Sequence, residues 1–439
     1  MDRVCNGKSQ VEFLVGDVPV PERLDLEQPQ GPVCSARRTP HQSRDYVPGQ
    51  MSTPIRQQTS AKDGPSDHPL ASPLNVALIP SVSGGLGHIG RTLKLARGLE
   101  RADPTLRICY VLDELELRPL NLEAVSRTGY PYRILPNPVH HERTEKIGAV
   151  LGDIDVVIED TNRRLIAHRR ILPRLRAWIS IPMLPIWDEL HMDGPLLEHV
   201  DHILYTYPPV MPPPEELLHF SHKLTVTGPI LDPPGEMPSR TEARRRLELD
   251  PEARYVTYAP RGFPFHKWFG RRVLNGVVGG VRRLRRQWPN VRLVLTAVPD
   301  VAAIQPPRLP PLDQIDGVEI VGIVSPETAR DYVAAADAVV LEGTTTLFDA
   351  AAARTPVVMV PGLIHETALE GTWVNEGGAG IVLRPEHVTH HSMARALREA
   401  LDPIAGAARS QRLYDLVGTG GRDLPAASVL RVIAERVRR

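Results

Sequence analysis

From Leu74 onward, short apolar runs rich in β-branched residues alternate with amphipathic stretches. The stretch 87–101 separates the first two runs, and its Ile89, Leu93 and Ala96 fall on one face of a helix. This alternation is typical of parallel strands joined by crossover helices. It predicts a first sheet built from strands at 76–79, 108–112, 156–158, 179–183 and 203–205.

A second series of apolar runs predicts another sheet, with strands at 255–259, 291–298, 318–324, 338–341 and 357–360. Helical patterns lie between them, at 271–287 and 326–336. The Pro- and Gly-rich stretch 227–239 separates the two series and is interpreted as a linker. We therefore expect an α/β protein in which two Rossmann-like domains, 74–230 and 231–439, face each other across a cleft. The second domain is expected to include the terminal helices.

Residues 1–73 are rich in Pro, Gln, Ser and Gly and show no sustained hydrophobic period. Such a segment buries too little apolar surface to offset the entropy lost on ordering. We expect a disordered N-terminal extension, with a partner-binding tail as the alternative. Met51 offers a second translation start within it.

The composition is that of a globular protein, since 42% of the 439 residues are hydrophobic and 24% are charged. The 52 Lys and Arg residues balance 52 Asp and Glu residues, which argues against nucleic acid as a partner. No apolar run reaches about 18 residues, and the N-terminus lacks the pattern of a secretory signal. A cytoplasmic protein with no transmembrane segment is expected. The three scattered cysteines predict neither disulfides nor a metal site.

The loop between the first strand and the first helix is rich in glycine, at Gly84, Gly85 and Gly87. Glycines permit tight turns and let backbone N–H groups approach a ligand at a helix N-terminus. Gly85, Gly87 and Gly90 also satisfy GxGxxG, and Asp113 stands where a ribose-binding acid would lie. Five residues, however, separate the strand from the first glycine of that motif, which normally turns directly off its strand. The stretch is interpreted as an acceptor loop, with an oxidoreductase or a purely structural turn as alternatives.

His88 and Asp160 are the candidate catalytic pair. His88 follows the glycines, and Asp160 ends the strand 156–158. In an α/β sheet the carboxyl ends of strands converge on one crevice, so the two side chains are expected to meet there. A histidine oriented by a carboxylate can act as a general base on an acceptor hydroxyl. Asp160 as a helix cap, and Glu159 as a substitute, are the alternatives.

The segment 318–383 has a specific order of parts. A strand is followed by a short helix ending in Ala-Ala-Asp, a strand, a Gly/Thr-rich loop, a helix with an acid near its start, Ala351–Pro356 and a strand ending in Pro361. This order resembles the donor half of GT-B glycosyltransferases, including macrolide and plant-type UDP-glycosyltransferases and the N-acetylglucosaminyltransferase of peptidoglycan synthesis. The resemblance covers most of residues 74 to about 400.

Several residues acquire donor-binding roles from this resemblance. The loop residues place N–H groups and hydroxyls at a helix N-terminus, where a diphosphate would be held without a metal; they are Gly343, Thr344, Thr345 and Thr346. Asp349 falls where the family has a Glu that binds ribose hydroxyls. Ile323 and Ser325 lie on the stretch whose backbone meets the base, which would suit uracil or thymine. Ordinary helix capping is the alternative for these positions.

The sequence departs from the family at the sugar-binding end. Relatives carry Asp-Gln followed by Asn, and the best placement here puts Glu366, Thr367 and Glu370 at these positions. Leu341 replaces a histidine of the macrolide enzymes, and Glu342 adds negative charge beside the phosphate loop. The identity of the donor is therefore left open.

The resemblance implies a metal-independent, inverting glycosyltransferase without a cofactor, which moves a sugar from a UDP- or dTDP-linked donor to a hydroxyl or amine. The acceptor would be a small molecule or lipid-linked, with weak membrane-surface contact at most. The alternatives are a sugar-nucleotide epimerase, for which His365, Glu366 and Glu370 are candidates, and a non-catalytic sugar-nucleotide-binding protein. The oligomeric state is left open.

Overall fold

The computed structural model describes residues 73–81, 86–115, 117, 119–136, 143–161, 163–183, 196–232, 235–260, 267–296, 309–322, 324–343, 345–418 and 423–437. The predicted N-terminal extension lies outside these residues, except for Pro73. Four predicted site residues also lie outside them: Gly84, Gly85, Ile323 and Thr344.

The first lobe is built on parallel strands. They are β1 Asn75–Pro80, β2 Arg107–Asp113, β3 Tyr132–Leu135, β4 Val156–Asp160, β5 Ala177–Ile181, β6 His202–Tyr205 and β7 Leu224–Val226. Within the described residues they form a seven-stranded sheet in the order β3-β2-β1-β4-β5-β6-β7. Helices of this lobe are α1 Gly87–Ala102, α2 Pro119–Ser126, α3 Arg143–Leu151 and α4 Glu215–Leu218. Strands β4 and β5 are wholly buried, as their continuous apolar runs require.

The second lobe repeats this architecture. Its strands are β8 Arg254–Ala259, β9 Val291–Thr296, β10 Val318–Gly322, β11 Ala338–Leu341, β12 Val357–Met359 and β13 Ile381–Val382. In the described part of the chain they form a six-stranded parallel sheet in the order β10-β9-β8-β11-β12-β13. Its helices are α5 Arg240–Arg246, α6 Lys267–Arg285, α7 Pro326–Ala335, α8 Thr345–Ala353, α9 His365–Glu376, α10 His390–Ala400 and α11 Pro403–Val417, and a last helix, α12 Asp423–Val437, follows them in the chain. The predicted pair of Rossmann-like α/β sheets is confirmed.

Strand order reverses once in each sheet, between β1 and β4 and between β8 and β11. At such a switch point the two following loops turn to opposite faces of the sheet and leave a crevice at the carboxyl ends of the strands. His88 lies at the start of the helix that follows β1, and Gly343 lies in the loop that leaves β11. The fold thus places both predicted motifs at ligand-binding positions.

The sequence prediction missed three strands, β3, β7 and β13. Strand β3 carries exposed or half-exposed side chains at three of its four positions, so it lacks the apolar run of a central strand. Strands β7 and β13 are only three and two residues long. Each is therefore too short to give a hydrophobic period of its own.

Helix α12 does not belong with the second lobe, where the predicted domain 231–439 placed the terminal helices. Its apolar face, including Val429 and Ile433, is buried in one core with Val76 and Leu99 of the first lobe. The last helix therefore crosses back to the first sheet and packs against α1. In the part of the chain described here, no helix combines the length and apolar character needed to cross a membrane.

Candidate active site

His88 and Asp160 are held together by the first sheet. Asp160 is the last residue of β4 and pairs in register with Pro80 at the end of β1, while His88 is the second residue of α1. The His88 Nδ1 atom lies 2.9 Å from Asp160 Oδ1. Asp160 is fully buried, whereas His88 lines the cleft between the lobes.

Arg91 is a third member of this cluster, one helical turn after His88. Its Nε donates to Asp160 Oδ2 at 2.8 Å, and its Nη2 contacts Asp160 Oδ1. Burial by itself raises the pKa of the Asp160 carboxyl, but the charges of Arg91 and His88 and their hydrogen bonds outweigh it. The pKa of Asp160 therefore lies well below its ordinary value, and the group is ionised.

The ionised carboxylate determines what His88 can do. Because it only accepts hydrogen bonds, the proton between the two side chains belongs to Nδ1, and in the neutral imidazole the lone pair then lies on Nε2. Thr161 follows at φ +65°, a rare conformation for a β-branched residue, and its hydroxyl donates to Asp160 Oδ1 at 3.1 Å. The side chain of Asp160 is therefore engaged by His88, Arg91 and Thr161, and not by the described backbone of the turn 163–171. Glu159 is hydrogen-bonded to Ser180 within the sheet.

The second lobe presents the N-terminus of α8 to the same cleft. Gly343, between β11 and α8, has φ +122°. A Cβ at this position would lie 2.5 Å from Glu370 Oε2 and 2.8 Å from a Thr367 methyl. Only glycine fits, since both the conformation and the space exclude a side chain. Thr345 and Thr346, which open α8, line the cleft together with Gly343.

The N-termini of α1 and α8 meet across the cleft. A Cβ on Gly87 would lie 2.7 Å from Thr345 Oγ1, so a side chain there would displace the Thr345 hydroxyl. Both helix ends carry partial positive charge and unpaired backbone N–H groups. Two such ends at one point form a site suited to an anion such as a diphosphate.

The three residues predicted at the sugar-binding end separate in the structure. Glu366 lines the cleft, is only 4% exposed and accepts a hydrogen bond of 2.6 Å from Tyr207 of the first lobe. Thr367 instead donates to the carbonyls of Gly362 and Ile364, which fixes the turn before α9. Glu370 packs beside Gly343, as described above.

Two atoms in the cleft have no hydrogen-bond partner among the described residues, Glu366 Oε2 and Thr206 Oγ1. Thr206 is 1% exposed and lines the cleft just after β6. Buried polar atoms are normally satisfied, so a ligand hydroxyl or amine is the group expected to meet them.

Ser325, Glu342 and Asp113 have identifiable partners. Ser325 caps α7, where its hydroxyl accepts from the Thr328 N–H at 3.1 Å. Glu342 lines the cleft and accepts from the Tyr258 hydroxyl at 2.8 Å, and burial with the nearby charge of Glu342 raises the pKa of that hydroxyl. Asp113 accepts from the Leu115 N–H at 3.1 Å and is not among the described residues that line the cleft, which leaves the dinucleotide motif without its ribose-binding acid there.

Comparison with known proteins identifies the fold family of the chain. No protein-family model and no curated protein matches the chain. Among solved structures, the spinosyn rhamnosyltransferase SpnG superposes with a TM-score of 0.55 at 17% identity, over 82% of this chain and 100% of SpnG. The glycotransferase of kitacinnamycin gives 0.54 at 18% identity, over 82% and 99%. A Listeria monocytogenes protein described as a UDP-N-acetylglucosamine 2-epimerase gives 0.54 at 14%, over 83% and 96%.

The chain has the GT-B fold. Among the described residues, the cleft between the lobes is lined by predicted site residues from both halves of this GT-B chain. No three His, Cys, Asp or Glu side chains of that part are grouped so as to hold a metal ion.

Sequence reasoning missed Arg91, Thr206 and Lys94. Arg91 stands three residues after His88, and this helical spacing on α1 is a signal that was available. Thr206 gives no such signal, because a threonine after a strand is ordinary. On β5 and just after it, Trp178 is part of the core, whereas Met183 lines the cleft.

Helix α1 holds the GT-B cleft narrow through ion pairs. Lys94, Arg97 and Arg101 lie on one face of α1 and contact Asp349, Glu327 and Glu236 of the second lobe, respectively. The cavity that remains is about 160 Å³, whereas ligand sites are usually roughly 300–1,000 Å³. Entry of a nucleotide therefore requires the cleft to widen.

Replacing Lys94 by methionine should tighten nucleoside diphosphate binding by about threefold to tenfold, since an ion pair of this kind contributes of order 1 kcal/mol. Lys94 forms an ion pair with Asp349, the residue expected to bind the ribose, and a ligand must displace Lys94 from it. Isothermal titration calorimetry measures the affinity. Arg97→Met is the matched control, because it also removes an ion pair between the lobes but frees Glu327, which is not among the described residues lining the cleft, and therefore reports the effect of cleft opening alone. Weaker binding to Lys94→Met would show that Lys94 holds the ligand instead.

Proposed function

We propose that this protein is a glycosyltransferase that moves a sugar from a nucleotide diphospho-sugar to an acceptor hydroxyl or amine. One observation carries the proposal: His88, paired with Asp160, and the glycine-threonine N-terminus of α8 line the same cleft from opposite lobes. A proton acceptor and an anion cradle face to face are what displacement of a diphosphate by a hydroxyl requires. The solved structures of similar fold include several glycosyltransferases, which supports this reading.

The donor would lie along the second lobe. Its diphosphate would accept hydrogen bonds from the N–H groups at 343–346, its ribose would bind Asp349, and its sugar would reach Glu366. UDP and dTDP are the proposed carriers, on the resemblance of the donor half. No metal is invoked, because the converging N-termini of α1 and α8 supply positive potential where the leaving group develops charge.

The acceptor would enter from the first lobe. His88 Nε2 would take the proton of the acceptor hydroxyl as its oxygen attacks the anomeric carbon, and the bond from that carbon to the diphosphate oxygen would break. The charge would leave on the diphosphate, and the configuration at the anomeric carbon would invert, because a single displacement forms no covalent intermediate. The acceptor is proposed to be a small natural-product scaffold, since one similar structure is a rhamnosyltransferase in complex with spinosyn aglycone. A lipid-linked acceptor is the alternative.

A sugar-nucleotide epimerase is the second candidate, because the Listeria protein shares the fold. Such an enzyme would need acids and a histidine around the sugar. Glu366 lines the cleft, but His365 and Glu370 are not among its described lining residues. This favours transfer over epimerisation.

A thermal-shift screen with UDP, dTDP and GDP and their sugars tests the proposal. A ligand that binds preferentially to the folded state raises the midpoint temperature of unfolding. At a ligand concentration of 100 times the dissociation constant, the free energy of unfolding rises by about 2.7 kcal/mol. We expect UDP or dTDP to stabilise the chain, and the matching sugar nucleotide to release its nucleoside diphosphate faster when an acceptor is supplied. Interconversion of nucleotide sugars without an acceptor would support the epimerase. No stabilisation by any nucleotide would refute both.

A further inference from the structure

Arg91 stands out because it touches both members of the proposed catalytic pair and no role has been assigned to it. It binds both oxygens of Asp160, and its Nη2 lies 3.2 Å from His88 Nδ1. The guanidinium therefore lies beside the direct contact between the base and its carboxylate partner.

Two arrangements of protons would satisfy these distances. If Nδ1 of His88 carries the proton, it donates to Asp160 and Nε2 is left to accept; the 3.2 Å contact of Nδ1 with Arg91 Nη2 then joins two donors and is not a hydrogen bond. If Nδ1 is bare, it accepts from Arg91 or from a protonated Asp160, and Nε2 carries the proton. Only the first arrangement makes His88 a base toward the cleft.

The ionisation of Asp160 decides between them. An ionised carboxylate 2.9 Å from Nδ1 excludes a bare nitrogen there, because two lone pairs would face each other. Asp160 is fully buried, so without a cation it would tend to be protonated. Arg91 supplies that cation in a bidentate geometry that a point charge would not reproduce.

We propose that Arg91 is a positioning residue, which holds both oxygens of Asp160 and thereby fixes the His88 tautomer with the proton on Nδ1 and the lone pair on Nε2. The inference rests on the proposed role of His88 as the base. Arg91 itself does not touch the reacting atoms.

The charged groups around this cluster come from four elements. His88 and Arg91 on α1 act on Asp160 of β4, and Tyr207 after β6 and Glu366 of α9 act on Arg91. Asp160, Tyr207 and Glu366 all favour the charged guanidinium. Together they raise the pKa of Arg91, although burial lowers it. In the arginine variant the strongest cationic partner of the Asp160 anion is gone and only His88 and the Thr161 hydroxyl still favour it, so burial raises the pKa of the carboxyl. The anion, and with it the active tautomer, is then lost as pH falls through that raised value.

The test is nitrogen NMR of the full chain labelled with ¹⁵N-histidine, with the His88 signals assigned by their loss in His88→Gln. In the native protein at neutral pH, Nδ1 should give the shift of a protonated ring nitrogen and Nε2 that of a bare one. Asp160→Asn, whose amide can donate to Nδ1, provides the reference for the reversed tautomer. Arg91→Gln should show the reversed tautomer, and Arg91→Lys, which keeps a charge, should retain part of the native form.

Nucleotide-sugar turnover gives the second readout. Arg91→Gln should lower kcat about 100-fold at neutral pH with KM little changed, within the range of general-base catalysis. The acid limb of its pH profile should move up by about 1–3 units. Thermal unfolding of each variant identifies loss of folding.

The native tautomer retained in a folded Arg91→Gln, or a proton on Nε2 of the native protein, would overturn the inference. Failure of every donor to turn over would instead refute the proposed function, while the NMR result would stand by itself.

Discussion

Replacing His88 by glutamine is expected to lower kcat for sugar transfer by about 10²–10⁴-fold, the usual contribution of a general base. Glutamine keeps a polar side chain of similar reach but has no nitrogen that can take a proton at neutral pH. Because His88 lies on the first lobe, binding of nucleoside diphosphate to the second lobe should change little. Acceptor-dependent release of nucleoside diphosphate measures the rate of transfer, and calorimetry measures the affinity for the nucleotide.

The control for this result is the variant's response to nucleotide in thermal unfolding, which should equal that of the native protein. Unchanged transfer by His88→Gln would mean that another group deprotonates the acceptor. Loss of nucleotide binding together with loss of transfer would mean that His88 supports the cleft and not the chemistry.

Replacing Gly343 by alanine is expected to abolish nucleotide binding, with a fall in affinity of at least about 100-fold, or roughly 3 kcal/mol. The new methyl would collide with Glu370 and Thr367, and a non-glycine residue at φ +122° adds strain of order 1–3 kcal/mol. Relief of both requires the chain to move where the diphosphate should bind. Calorimetric titration with the nucleotide that stabilises the native protein checks this.

Gly129→Ala is the matched control for Gly343→Ala. Gly129 also has a positive φ, +82°, but a Cβ there meets nothing within 4 Å. It lies in the first lobe after α2, so its replacement should lower stability and leave nucleotide affinity unchanged. Equal loss of binding in both variants would show that strain in general, and not the cradle, is responsible. Normal binding by a folded Gly343→Ala would contradict the placement of the diphosphate.

Much of this fold could be predicted from sequence because buried parallel strands are continuous apolar runs. Strand β4, for example, is recognisable from three consecutive β-branched residues. The predicted ends of β10 and β5, at 324 and 183, differ from the described ends at Gly322 and Ile181, since the apolar runs continue in the sequence past both strands. Helix α12 shows the limit of such reading. Its apolar face indicates a helix but does not say which lobe receives it, and only the three-dimensional contacts with α1 do so.

The site divides in the same way. The proximity of His88 and Asp160 could be predicted from topology. Asp160 ends β4, and His88 lies at the start of the helix that follows β1, the neighbour of β4 in the sheet. The ion pair of Lys94 with Asp349 could not be foreseen, since it joins residues 255 positions apart across two lobes. The separate positions of Glu366 and Glu370 could not be foreseen either. The two residues share α9, but Glu366 is bonded to Tyr207, whereas Glu370 packs beside Gly343. A residue pattern indicates the chemistry available, while the packing of the lobes decides which groups share a cleft.

The central claim is that a nucleotide diphosphate binds at the N-terminus of α8, opposite His88. A crystal structure with the nucleotide selected by the thermal-shift screen tests it most directly. We predict diphosphate oxygens within hydrogen-bond distance of the N–H groups at 343–346, with ribose hydroxyls on Asp349 and its bond to Lys94 broken. A nucleotide bound elsewhere on the chain, or one whose diphosphate points away from α8, would contradict the account.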